Sequence, residues 1–128
     1  MLDRDELQDF LDAYGRELVS GDLDRVAARY TYPVCVVGEE ATLALSAPGE
    51  LKATLGRTAR RYQERGVTDL ALELRGVEEL TDHLVWVDVR RAARASDGKE
   101  ILVEGRRYLL RVADSSCMIC VVVPTGPA

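Results

Sequence analysis

FLDAYGRELVSGDLDRVAARYTYPVCVV, residues 10–37, is the stretch whose order of elements decides the fold. A first helix is predicted from about Asp3 to Val19. Leu7, Phe10, Leu11, Tyr14 and Leu18 recur on it at helical spacing and form one apolar stripe. Asp3, Asp5 and Glu6 near its start complement the helix dipole. Gly21 ends it, and Asp22 can cap a second helix through Leu23, Val26, Ala27 and Tyr30. Pro33 pushes Tyr32 into extended geometry, so that helix must stop first, and Val34 to Val37 reads as a strand.

Outward from this stretch, Glu39-Glu40 reads as a turn and Thr42 to Leu45 as a returning strand. Ser46 and Pro48 mark the start of a third helix, with a stripe of Leu51, Leu55, Ala59 and Tyr62 and a stop at Gly66. Arg57, Arg60, Arg61 and Arg65 gather near its end, where cations suit the dipole and face water. From Val67 the pattern turns to alternation. Four strands are predicted at about 68–79, 83–94, 99–112 and 117–123, with Asp97-Gly98 as a hairpin turn. Helices first and long antiparallel strands afterwards make an α+β domain. The whole chain, 1–128, reads as one domain with a loose tail at 124–128.

Composition removes several function classes. The 128 residues suffice for a core without metal or disulfide. Seventeen basic against twenty-two acidic side chains give a net charge of -5, which repels phosphate backbones, so nucleic acid is not an expected partner. The N-terminus lacks the basic and apolar regions of a signal peptide, and no apolar run approaches the roughly 20 residues that span a bilayer. The expectation is a soluble, cytoplasmic protein without a membrane partner. No Gly-rich phosphate loop and no His/Cys/carboxylate cluster stands in the chain, so no cofactor and no metal is expected. Cys117 and Cys120 form a C-x-x-C within a strand. There they point to opposite faces and read as core cysteines.

The strand faces raise a second question. Val85, Val87 and Val89 form one apolar face, against Leu84, Trp86, Asp88 and Arg90 on the other. The last strand is apolar on both: Cys117, Ile119, Val121 and Val123 against Met118, Cys120 and Val122. Three helices cover one sheet face, so a homodimer through the other is expected.

This arrangement resembles the nuclear transport factor 2-like superfamily, which includes ketosteroid isomerase, scytalone dehydratase and the SnoaL-like polyketide cyclases. The resemblance rests on Ser20-Gly21-Asp22-Leu23-Asp24 between two helices, Tyr32-Pro33 leading a strand, and a four-strand meander at the end. It implies a cone: three helices from the N-terminal half on a strongly curved, mainly antiparallel, cystatin-like sheet, with a pocket at the open end and a dimer through the sheet. It also implies that Tyr14, seven residues before Gly21, matches the isomerase's oxyanion-stabilising tyrosine. The position of the isomerase's general base falls on Gly38, and that of its second oxyanion donor on Tyr108. Glu39 and Glu40 adjoin Gly38, but one residue along a strand reverses the face. A donor without a base argues against steroid isomerase activity. His83, the single histidine, cannot supply a dehydratase pair and reads as a turn residue.

The candidate pocket residues are Tyr14, Tyr62, Trp86, Asp88 and Tyr108, with no catalytic residue assigned. Aromatic walls with a few hydroxyls suit a small apolar ligand, and Asp88, beside Trp86, is the spare acid. The expectation is ligand binding without established catalysis. An isomerase, dehydratase or cyclase activity and a non-catalytic dimeric interaction module are the alternatives.

Overall fold

A computed structural model describes residues 2–127. Helix α1 spans Arg4–Ser20, α2 Leu23–Ala27 and α3 Pro48–Glu64. The strands are β1 Tyr30–Val37, β2 Thr42–Leu45, β3 Val67–Glu79, β4 Leu84–Ala95, β5 Glu100–Ala113 and β6 Ser116–Pro127. They form one open sheet in the order β2-β1-β6-β5-β4-β3, antiparallel except for the β1–β6 pair. The α+β fold expected from the residues, with the cone that the resemblance implies, is the fold observed.

The ends of α1 follow from its caps. Asp3 accepts from the Glu6 backbone while the Glu6 side chain accepts from the Asp3 N–H, a reciprocal capping box. Gly21 takes the left-handed conformation, φ 79°, that stops the helix. Leu7, Leu11, Tyr14 and Leu18 are buried against the sheet. Gln8 reaches the edge of the sheet, donating to the Leu72 carbonyl at 2.7 Å and accepting from the Leu74 N–H at 3.0 Å. Arg4 adds a bond to the Leu74 carbonyl. Edge strand β3 is therefore partly closed by α1 and not left as a pairing template.

Three expectations are corrected. Helix α2 stops at Ala27, and Tyr30 opens β1 instead of closing the helix, because the Arg29 carbonyl accepts from the Ile119 N–H and draws the chain onto β6. The tail is not loose through Pro127. Pro124 pairs with Arg106, Gly126 with Gly105 and Pro127 with Glu104, while Ala128 lies outside the described residues. The faces of β6 also swap partway. Leu109 pairs with Val121 and Leu110 with Ile119, so Cys120 is an extra residue in a bulge. Beyond it Val122 and Pro124 point into the cone, and Val121 and Val123 point out. Tyr108 thereby lies beside Val122 on the inner face, as Leu110 lies beside Ile119.

Candidate functional site

Inside the cone, α1 brings Tyr14, β1 brings Tyr30, β5 brings Tyr108, and α3 brings Leu51, Thr54, Leu55 and Thr58. These line a cavity of about 120 Å³ together with Arg91 of β4, Val36, Leu45, Val122, Pro124 and, toward the mouth, Arg61 and Arg106. The tyrosines are ordered by one another. Tyr14 and Tyr30 hydroxyls share a hydrogen bond of 2.5 Å, and the Tyr14 ring meets Tyr30 and Tyr108 edge-on at 6.0 and 6.3 Å. Burial pushes the Tyr14 and Tyr30 phenols well above their ordinary value of 10, so both stay protonated and act as hydrogen-bond donors, not bases.

The feature that composition hides is Arg91. It is 5% exposed and is the one buried charged residue among those described. Its Nε and Nη2 both donate to the Tyr62 hydroxyl, at 3.2 and 2.8 Å, and Nη1 donates to Tyr108 at 3.4 Å. Its ring neighbour is Tyr62, 5.9 Å from the guanidinium carbon. Burial weakens the guanidinium, but the surrounding phenols outweigh that effect and hold its pKa above the ordinary arginine value, so it is a permanent cation. Glu104 sits directly opposite on β5, yet its carboxylate lies on Arg106 at 3.5 Å. Removing a cation from water is costly unless a counter-charge is provided. The phenolic oxygens of Tyr62 and Tyr108 offset part of that cost as hydrogen-bond acceptors, without supplying a counter-charge.

The five candidate residues separate into two groups. Tyr14 and Tyr108 line the cavity, and Tyr62 supports Arg91 from α3. Trp86 and Asp88 lie on the opposite face of the sheet, because β4 alternates and Val85, Val87 and Val89 take the inner one. Val87, not Trp86, is the cross-strand partner of Tyr108. Asp88, its side chain 52% exposed, pairs with Arg107 at 2.8 Å, and that guanidinium stacks 4.9 Å over Trp86. Neither therefore lines the cone. A wider, open groove of about 520 Å³ adjoins Asp88. Its arginines already have partners: Arg75 with Glu73, Arg90 with Glu100, Arg106 with Glu104 and Arg107 with Asp88. It offers an incoming anion no unpaired charge.

Arg91 carries a readable signal. It continues the inward parity of Val85, Val87 and Val89, and an arginine at that position of an apolar face is the anomaly to question. Gly38 follows Val37 at the end of β1 and Glu39 and Glu40 are exposed, so no carboxylate enters the cone from this side. His83 sits in the β3–β4 turn with Nδ1 3.0 Å from the Val112 carbonyl, outside the cavity wall. Burial pushes the Cys117 thiol up to about 11, the opposite of a redox or metal-binding cysteine. Among the described residues no cluster of three or more His, Cys, Asp or Glu could hold a metal, and no helix is long and apolar enough to cross a membrane.

Comparison with solved structures shows the same cone elsewhere. A domain of unknown function with a cystatin-like fold from Nostoc punctiforme is 16% identical, with a TM-score of 0.73 over 98% of this chain and 78% of that one. Aln2 from a Streptomyces species is 15% identical, with a TM-score of 0.72 over 98% and 94%. A ketosteroid isomerase-like protein from Erwinia carotovora atroseptica is 16% identical, with a TM-score of 0.62 over 98% and 100%. At such identities the likeness is one of fold. No curated protein matches the chain. The family described as NTF2-like protein (DUF6841) matches residues 5–127, and this chain, with its tyrosine-lined cone, belongs to it.

Proposed function

We propose that this protein is a small-molecule binding domain whose ligand occupies the cone, with no reaction assigned to it. The observation that carries this reading is the walled cavity itself. Its wall is aliphatic, from Leu45, Leu51, Leu55 and Val122, and its floor presents hydroxyls and a guanidinium. Such a mixture fixes a ligand's orientation while burying its apolar part. A general base is missing from the wall: its ionisable groups are arginines and tyrosines, and the buried pair Tyr14 and Tyr30 stay neutral. This favours binding over proton-transfer catalysis.

The test is native mass spectrometry of the purified protein, alone and with a library of one-ring compounds. A bound mass is expected for the wild type and not for Leu55→Trp, which fills the cavity from its wall. Retained binding in that folded variant, or no binding by the wild type, refutes the reading and leaves the interaction-module alternative.

The reading includes a homodimer through the outer sheet face. That face divides in two. Around β4 and β3 it is ionic, with Arg90 and Arg94 laced to Glu73 and Glu100. Around β1, β6 and β5 it is apolar, with Cys35, Leu109, Met118, Val121 and Val123 all partly exposed. A second copy would cover the apolar half. Sedimentation equilibrium at micromolar concentration should give a dimer for the wild type and a folded monomer for Val121→Glu. A monomeric wild type refutes this part alone.

A further inference from the structure

We propose that the cone takes its ligand as an anion: a small monocarboxylate, about one ring in size, with its carboxylate on the guanidinium of Arg91. This rests on the reading of the cone as a binding site and adds the charge and size of what binds.

The charge follows from counting donors. A guanidinium has five N–H groups. Tyr62 occupies the Nε/Nη2 edge through one oxygen, and Tyr108 takes one N–H of Nη1. One N–H on each Nη is left with no protein acceptor among the described residues. The Tyr14–Tyr30 pair holds two hydroxyl protons and uses one in its mutual bond. The Tyr108 hydroxyl accepts from Arg91, and its own proton has no acceptor among the described residues. The floor therefore has a surplus of donors around a fixed positive charge. Glu104, opposite Arg91 on β5, is turned to Arg106. This surplus lies inside an acidic protein of net charge -5, so it is a local construction and not a by-product of composition.

The size follows from the cavity, about 120 Å³. A cavity of about 150 Å³ holds benzene. A single ring or a short acyl chain thus fills the cone, its end emerging toward Arg61 and Arg106. A planar carboxylate suits two donors spread over both Nη atoms, and it offers lone pairs to the phenols as well. Burial of the site keeps this attraction from being screened by salt.

Calorimetric titration with benzoate, neutral benzamide and inorganic phosphate tests the proposal. The full chain should bind benzoate at least tenfold more tightly than benzamide, with phosphate weaker than both. Arg91→Met should abolish the preference, and Arg91→Lys, which keeps the charge but not the planar donors, should restore part of it. The wild-type ratio needs no variant, so it decides even if Arg91→Met fails to fold. Equal binding of benzoate and benzamide overturns the anion inference and leaves the cone as a binding site. Phosphate binding in place of benzoate overturns the carboxylate assignment. Binding of none of the three, in a protein that also takes up no other one-ring compound, overturns the binding reading itself.

Discussion

Gly15→Ala should lower the stability of this protein by about 2 kcal/mol, although helix propensity alone argues the other way. Alanine is better than glycine in a helix interior by about 1 kcal/mol, and Gly15 lies in the middle of α1. The opposing term is steric. A Cβ at this position would stand 2.5 Å from the Leu70 carbonyl oxygen and 3.1 Å from Leu72 Cδ1. The leucine methyl can turn away; the carbonyl belongs to the β3 backbone and cannot. Helix α1 must then rise off the sheet, and it carries Leu11, Tyr14 and Leu18, all fully buried, with it. Overpacking of this kind costs roughly 1–3 kcal/mol and occasionally more, so it outweighs the propensity gain. Thermal unfolding should show a fall of roughly 6–10 °C for a domain of this size. The neighbouring Tyr14 should lose its bond to Tyr30 as α1 lifts, so the variant should also bind cone ligands less well. An unchanged or higher melting temperature would mean that α1 is not held at contact distance by this glycine.

That close approach marks a boundary of what the residues alone convey. Local rules suffice where one residue determines one conformation. Gly21 ends α1, Asp97-Gly98 turns the β4–β5 hairpin with Gly98 at φ 84°, and Pro48 opens α3. Periodicity suffices for Tyr14 and Tyr62, each on an apolar helical stripe that meets the sheet. The site needs more, because a strand's faces depend on register and on bulges. Reading β6 as an unbroken alternation puts Val121 inward, and the bulge at Cys120 puts Val122 there. Trp86 and Tyr108 lie on neighbouring strands with nothing local to say whether they share a face; the register pairs Trp86 with Leu109 instead. Arg91 is the opposite case. Its parity with three valines is plain, but charge suggests solvent, and only the reach of Tyr62 from α3 to the guanidinium explains how an inward arginine is tolerable.

Glu17→Gln should cost about 2 kcal/mol at neutral pH, far more than loss of an exposed pair. Arg29 Nε and Nη2 donate to the two Glu17 carboxylate oxygens at 2.6 and 2.8 Å, a bidentate contact with both side chains largely covered, 26% and 13% exposed. The Phe10 ring packs 5.2 Å from the same guanidinium and excludes water from one side. Breaking a fully buried pair costs roughly 3–5 kcal/mol; the remaining exposure of Arg29 lets it be hydrated and reduces the figure. Lys52–Asp24 is the internal comparison, since Asp24 is 86% exposed there and Asp24→Asn should cost about 0–1 kcal/mol. The pH dependence separates charge from shape. The bond from Arg29 lowers the Glu17 pKa below its ordinary 4.5. The pair's contribution is therefore full above the unfolded carboxyl value and disappears as pH falls through the lower folded one. Urea unfolding across that range should show the deficit of Glu17→Gln large at neutral pH and closing in acid. A deficit that is constant with pH would assign the loss to packing. The consequence reaches the cone through a single peptide: Arg29 precedes Tyr30, whose hydroxyl holds Tyr14, so loosening this ion pair should loosen the β1 end of the tyrosine floor, where Tyr14 packs edge-on against Tyr108.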